Sequence, residues 1–230
     1  ASPVTLGTLI FKDSDGYILG GGATITFATT GQSANIDSYG GVHTISNPVR
    51  LTRNVVMNVD TAQGSPSGVD LTGTLTFDAG VSLSKVGRGV ATFSTPIRMS
   101  GGGKLGVYEG TVSLSGTASP FSPAGVSVVN QLEFLTIGTS VPGTLNLQNN
   151  SMVIDYSGAS PQDAVKGLIQ RGSNLGLWNG TGIMSSLAAA AAATPDRTAI
   201  GYAEASQLNL AAWLGQPTDG TSLILAYVYE

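Results

Sequence analysis

The chain of 230 residues contains no cysteine. A disulfide framework, Cys-ligated metals and thiol catalysis are therefore excluded. Charge is almost as scarce: only 10% of residues are Asp, Glu, Lys or Arg, against about a quarter in an average globular domain. The ten basic residues are scattered, net charge is −4 and the pI is near 4.8. A basic footprint for nucleic acid and a polybasic membrane patch are both missing. His43 is the only histidine, so no His-paired metal site can be built. No apolar run approaches the ~20 residues that span a bilayer. The longest small-apolar run is "LAAAAAA" (Leu187–Ala193). The chain opens at Ala1 rather than at an initiator Met, which points to a processed mature start or an excised fragment.

What is abundant is glycine, with 32 residues, alongside frequent Ser and Thr and an apolar fraction of 41%. Such a chain can bury a core, and its composition favours extended, closely stacked backbone. From Val4 to Tyr156 it breaks into short runs separated by Gly, Asn, Asp or Ser, among them "ATITFA" (Ala23–Ala28), "NVVMNVD" (Asn54–Asp60) and "QLEFLTIG" (Gln131–Gly138). Most alternate apolar with polar residues, the period-2 pattern of half-buried strands. A kernel returns at irregular intervals: "GTLIF" (Gly7–Phe11), "GTLTF" (Gly73–Phe77), "GTVSL" (Gly110–Leu114) and "GTLNL" (Gly143–Leu147). A short unit recurring with variable corners predicts a mainly β solenoid whose rungs stack into one core. The alternative is a β-sandwich or jelly roll, which also shows short alternating strands.

After Tyr156 the period changes. "SPQDAVKGLIQRG" (Ser160–Gly172) predicts a helix with a Ser cap, Pro161 at its first position and Gly172 at its exit. "GIMSSLAAAAAA" (Gly182–Ala193) is helix-permissive. In "DRTAIGYAEASQL" (Asp196–Leu208), Tyr202, Ala205 and Ser206 share one helical face, although the segment is ambiguous. "TSLILAYVY" (Thr221–Tyr229) reads as a strand. Residues 1–156 are thus expected to form a β-solenoid body and residues 157–230 a mixed helix and strand cap. Solenoid ends need such covers.

"LSKVGRGVATFS" (Leu83–Ser94) sets a lysine beside Gly-x-Gly. A phosphate loop needs the lysine after its glycines and a helix behind it, whereas here "VATFS" continues as a strand. Lys85 is therefore read as a rung-face residue, with Gly87 and Gly89 as corners. The longer stretch "LSKVGRGVATFSTPIRMSGGGKLGVYEGTVSLSG" (Leu83–Gly116) resembles the autotransporter-associated β-strand repeat, and the rungs from Leu6 to Asp60 look like those that precede it. The tail from Val153 to Ala190, with "RTAIGYAEAS" (Arg197–Ser206), resembles the segment closing such repeats. The resemblance implies a right-handed parallel β-helix in exported, surface-associated bacterial proteins, generally without catalytic residues. It brings no C-terminal membrane barrel with it.

The remaining candidates are few. "DSDG" (Asp13–Gly16) resembles the opening of a calcium loop, with Asp13 and Asp15 as ligands, but lacks the third position and distal Glu of an EF-hand; a tight turn is the plainer reading. His43 lies in "GGVHTIS" and is expected to face outward from a rung. Asp60, Asp70, Asp78 and Glu109 read as turn or rung-face carboxylates, although paired carboxylates drawn from different rungs could cleave glycosidic bonds. Trp178 and Trp213 are expected to pack in the cap, or else to stack on carbohydrate. "NNS" (Asn149–Ser151) and "NGT" (Asn179–Thr181) fit a glycosylation pattern too frequent to weigh.

These observations lead to an expectation of a non-enzymatic module, extracellular or on a bacterial cell surface. It would need no cofactor and would serve as adhesive or structural matrix, a self-assembling fibre included. Its partner would be a second copy, joined end to end or through a strand such as "SLILAYVY" (Ser222–Tyr229), and surface polysaccharide is a further partner. A carbohydrate-binding module and a polysaccharide-cleaving β-helix enzyme are the alternatives.

Overall fold

The structure is a computed structural model that describes residues 2–31, 33–61, 67–115, 129–132, 134–137 and 143–229. Gly116 and Gly138, the ends of two expected runs, lie outside the described residues. The described residues are mainly β, with 45% strand and 11% helix. It lays its strands down in threes: β1 (Val4–Leu6), β2 (Thr8–Phe11) and β3 (Ile18–Leu19), then β4 (Ile25–Phe27), β5 (Ala34–Ser38) and β6 (Gly41–Ile45). Next come β7 (Val49–Leu51), β8 (Val55–Val59) and β9 (Ser67–Leu71), and then β10 (Leu75–Phe77), β11 (Leu83–Val86) and β12 (Val90–Phe93). The pattern shortens after that to β13 (Lys104–Val107) and β14 (Gly110–Leu114), followed by β15 (Val129–Leu132), β16 (Phe134–Ile137), β17 (Gly143–Asn146) and β18 (Ser151–Asp155).

First members pair with first members in a four-stranded sheet, β1-β4-β7-β10. Second members build a six-stranded sheet, β16-β13-β11-β8-β5-β2, and third members make up most of a seven-stranded one. Pairing within these three sheets is parallel throughout. Sandwiches and jelly rolls are antiparallel, so that alternative is removed. Side-chain bonds between neighbouring sets join residues 21 to 28 apart, which is the length of one set with its corners.

The register puts like on like. Ile25, Val49 and Leu75 stack on one another, as do Phe27, Leu51 and Phe77. Ile45, Leu71, Phe93 and Leu114 form another column. Nearly all of these side chains are buried. Two copies of the sequence kernel stack directly, Gly110 on Gly143, Thr111 on Thr144 and Val112 on Leu145. The other two, "GTLIF" and "GTLTF", fall in different sheets. The kernel therefore marks where a strand begins and not which sheet it joins.

Beyond β18 the chain forms α1 (Gln162–Ser173), β19 (Gly182–Met184), α2 (Ser186–Ala191), β20 (Thr198–Glu204), α3 (Ala205–Leu208), β21 (Ala212–Trp213), β22 (Gln216–Pro217) and β23 (Ser222–Tyr229). β19 closes one edge of the seven-stranded sheet, parallel to β17. β23 inserts antiparallel between β18 and β20. Three expectations change here. Gly172 lies inside α1, and Asn174 in the left-handed conformation closes the helix instead. A Cβ on Gly172 would collide with the Ile183 carbonyl of β19, so this glycine serves close approach. Thr198–Glu204 is strand rather than helix, because β23 offers it seven consecutive partners. Ser222–Tyr229, expected to be a contact strand, is largely taken up inside its own sheet: β20 pairs with Leu223–Tyr229 and β18 with Ser222–Leu225.

Substituting Gly172→Ala should force α1 away from β19 and cost about 1–3 kcal/mol, the usual range for overpacking. Urea denaturation of the two proteins measures this; equal midpoints and slopes would show that the contact is not tight.

Candidate functional site

Lys85 is the least expected placement. On β11 it occupies one step of an inward column, stacked between Met57 and Val107, and is 0% exposed. It therefore does not lie on an outer rung face. The alternation of β11 sets its phase through Leu83, which is also buried, and that phase carries Lys85 inward. Its Nζ donates to the carbonyls of Val86 at 2.8 Å, Gly87 at 2.6 Å and Glu109 at 3.2 Å. All three ammonium hydrogens are thus used. Burial pulls the ammonium from 10.5 down to about 8, opposed by the charges of Glu109 and Asp60. Gly87 makes the corner feasible: its φ is +76°, and a Cβ would strike Asn58 Oδ1 and the Val59 carbonyl. The strand β12 follows, so no helix terminus is present to hold a phosphate. The lysine clamps two successive corners together.

His43 also turns inward, at 0% exposure, instead of facing solvent. The large partner on its strand is Ile45, which stacks on Leu71. Burying Ile45 buries His43 and exposes Val42. The imidazole lies between Phe11, 4.3 Å away and nearly parallel, and Tyr17 at 5.5 Å. Nδ1 accepts the Tyr17 backbone N–H at 3.2 Å, which requires the ring proton on Nε2, where it is donated to the Gly40 carbonyl at 2.7 Å. Both nitrogens are engaged, and neither is left to activate a serine.

The Asp13–Gly16 turn is tied to the same corner. Asp13 Oδ1 accepts the Asp15 N–H and Oδ2 accepts the Tyr17 hydroxyl. Those donors hold its carboxyl below the ordinary range, the Asp15 amide foremost. Among the described residues no group of three or more His, Asp or Glu is placed to hold a metal. Asp78 is paired with Arg50 at 2.9 Å and Glu109 with Arg88 at 3.4 Å; Asp60 and Asp70 are half-buried.

The two tryptophans part company. Trp178 is 4% exposed and belongs to the core, so its faces are taken by packing. Trp213 is half-buried on β21, and its Nε1 is a buried donor without a partner among the described residues. Sequence reasoning missed Glu204. Buried at the start of α3, it accepts from the Tyr156 hydroxyl at 3.0 Å and from Ser160 Oγ, and shares a capping box with Gln207. The "EASQ" spacing (Glu204–Gln207) is a capping pattern that could have signalled it. The network joins the end of β18, the approach to α1 and the start of α3. The Tyr156 hydroxyl is pushed up, chiefly by burial.

No family model, curated protein or solved structure matches this chain.

Lys85→Met should cost about 1–3 kcal/mol at neutral pH, because three carbonyls lose their donor. The folded value near 8 lies below 10.5, so between those pH values the unfolded chain binds more protons and this group makes stability rise with pH. Chemical denaturation at pH 7.5 and 9.5 should show the gap between wild type and variant widening; a constant gap would contradict a depressed Lys85.

Proposed function

We propose that the chain is a non-enzymatic structural module whose strand triplets are rungs of a right-handed parallel β-helix. In this reading residues 1–156 are the body and residues 157–230 a cap, and the module works outside a bacterial cell as adhesive or matrix material. The observation that carries it is the in-register stacking of inward columns over successive sets, Leu9 on Ile36, Ile36 on Met57 and Met57 on Lys85. Such stacking builds a long, stiff, low-charge rod with little free chemistry. The resemblance of Leu83–Gly116 to the autotransporter-associated repeat points the same way. Lys85 and His43, the residues best suited to reactivity, have their polar atoms committed to internal bonds.

Self-association is the partner reading that follows. β1, β2 and β3 each form an edge of their sheets, and Ile18 on β3 is 76% exposed. An apolar edge is a template for another chain. Ile18→Lys should abolish concentration-dependent association while leaving the melting temperature unchanged. Sedimentation velocity over a hundredfold concentration range, with negative-stain microscopy of the same samples, tests it. A wild type that stays monomeric throughout would overturn self-assembly.

A further inference from the structure

The three parallel sheets end differently at their two limits. At the first limit β1, β2 and β3 have no strand beyond them among the described residues. The inward columns stop there unfinished: Val4 stacks on Ile25, Leu6 on Phe27, Leu9 on Ile36 and Leu19 on Ile45. The second member of each pair is buried, whereas Val4 is 45% exposed and the other three first members are half-buried. No charged residue and no proline stands in β1, β2 or β3. Those are common guards of an edge that faces water, and an uncharged edge can meet a copy of itself without repulsion.

At the far limit the widest sheet is shut. Its last strand is β19, where the Met184 carbonyl accepts the Leu147 N–H at 2.9 Å and so faces β17. The amide and carbonyl of Ile183, one residue back, therefore point the other way. Helix α1 occupies that side: a Cβ on Gly172 would collide with the Ile183 backbone, and one on Gly182 with the Leu168 carbonyl. The helix stands where another molecule's strand would have to lie.

This asymmetry limits how two chains can meet. A fibre needs the first limit of one chain on the far limit of the next, with all three ladders running on together, and α1 prevents this for the widest. Two first limits brought together meet no such obstacle. Their strands run antiparallel, the pairing slightly more stable per residue, and identical patches in contact are related by a two-fold axis that closes at two chains. We propose that the chain forms a closed head-to-head dimer through β1, β2 and β3, with a cap at each outer end; this rests on the self-association proposed above and gives its geometry. β2, the longest of the three edge strands, lies on the axis. A two-fold keeps outward faces outward, so Ile10, 46% exposed, comes opposite its own copy or one diagonal step away.

Sedimentation equilibrium of the whole chain should give a mass that rises with concentration and levels off at twice 23.2 kDa. The chain has no cysteine, so single introduced cysteines report proximity cleanly. In dimeric samples a short bismaleimide should join most Ile10→Cys chains in pairs and leave Leu175→Cys, 99% exposed in the cap, unjoined. Thr8→Cys, also exposed on β2, replaces Ile10→Cys should the latter lose the wild-type circular dichroism spectrum. A mass that climbs past twice the chain without levelling overturns the closed dimer and leaves self-association standing. A dimer whose Ile10→Cys chains stay unjoined, or whose Leu175→Cys chains join, overturns the head-to-head contact alone. A wild type that remains monomeric overturns self-association itself and this geometry with it.

Discussion

Everything in this protein depends on parallel strands stacking in register. A parallel ladder can form only when each strand lies where an earlier one has set the hydrogen-bond frame. Here three such frames run side by side, and each set of strands renews all three in turn through the fourth set. Once the backbone is fixed, every inward position must accept the residue above and below it. The columns Ile25–Val49–Leu75 and Val69–Ala91–Val112–Leu145–Ile183 meet that demand with branched and small apolar side chains.

Polar residues inside such a column survive only if their hydrogen bonds are completed locally. Lys85 and His43 meet this condition in different ways. Lys85 sends its ammonium past the column into the carbonyls of two corners, while His43 stays flat between two aromatic rings and bonds at both nitrogens. Glu204 does the same beyond the parallel sheets, gathering hydroxyls from Tyr156 and Ser160. Each spends reactive atoms on holding separate chain segments together. Trp213 departs from this pattern, since its Nε1 is buried and has no partner among the described residues.

Much of the architecture was legible from the residues. Alternation located most strands, the recurring "GTL" kernel marked where several begin, and the change of period at Tyr156 marked where helices enter. Phase was not legible. In "GGVHTIS" either Val42 and Thr44 or His43 and Ile45 could face inward, and only the stacking of Ile45 on Leu71 decides. The same ambiguity hid Lys85, since composition assigns lysine to solvent and only the column through Met57 and Val107 places it inside. The strand at Thr198–Glu204 was missed because its stability comes from β23, a partner distant in sequence. For the candidate sites, residue types were visible, but whether Trp178 or Trp213 kept an unmet hydrogen bond depended on three-dimensional packing.

β23 has an implication for the order of assembly. It sits between β18 and β20 yet is made after both. During synthesis β18 and β20 therefore emerge without the strand that joins them, while the earlier parallel sets can already pair as they appear. The Glu204 network also waits for this event, since it spans segments that β23 draws together. Closure of the sheet is a late, non-local step of the slow kind that loop-closure entropy imposes. A nascent chain would pass through a stage with its early sheets ordered and its latch open, and quality control acting on the unfinished protein would meet that latch first.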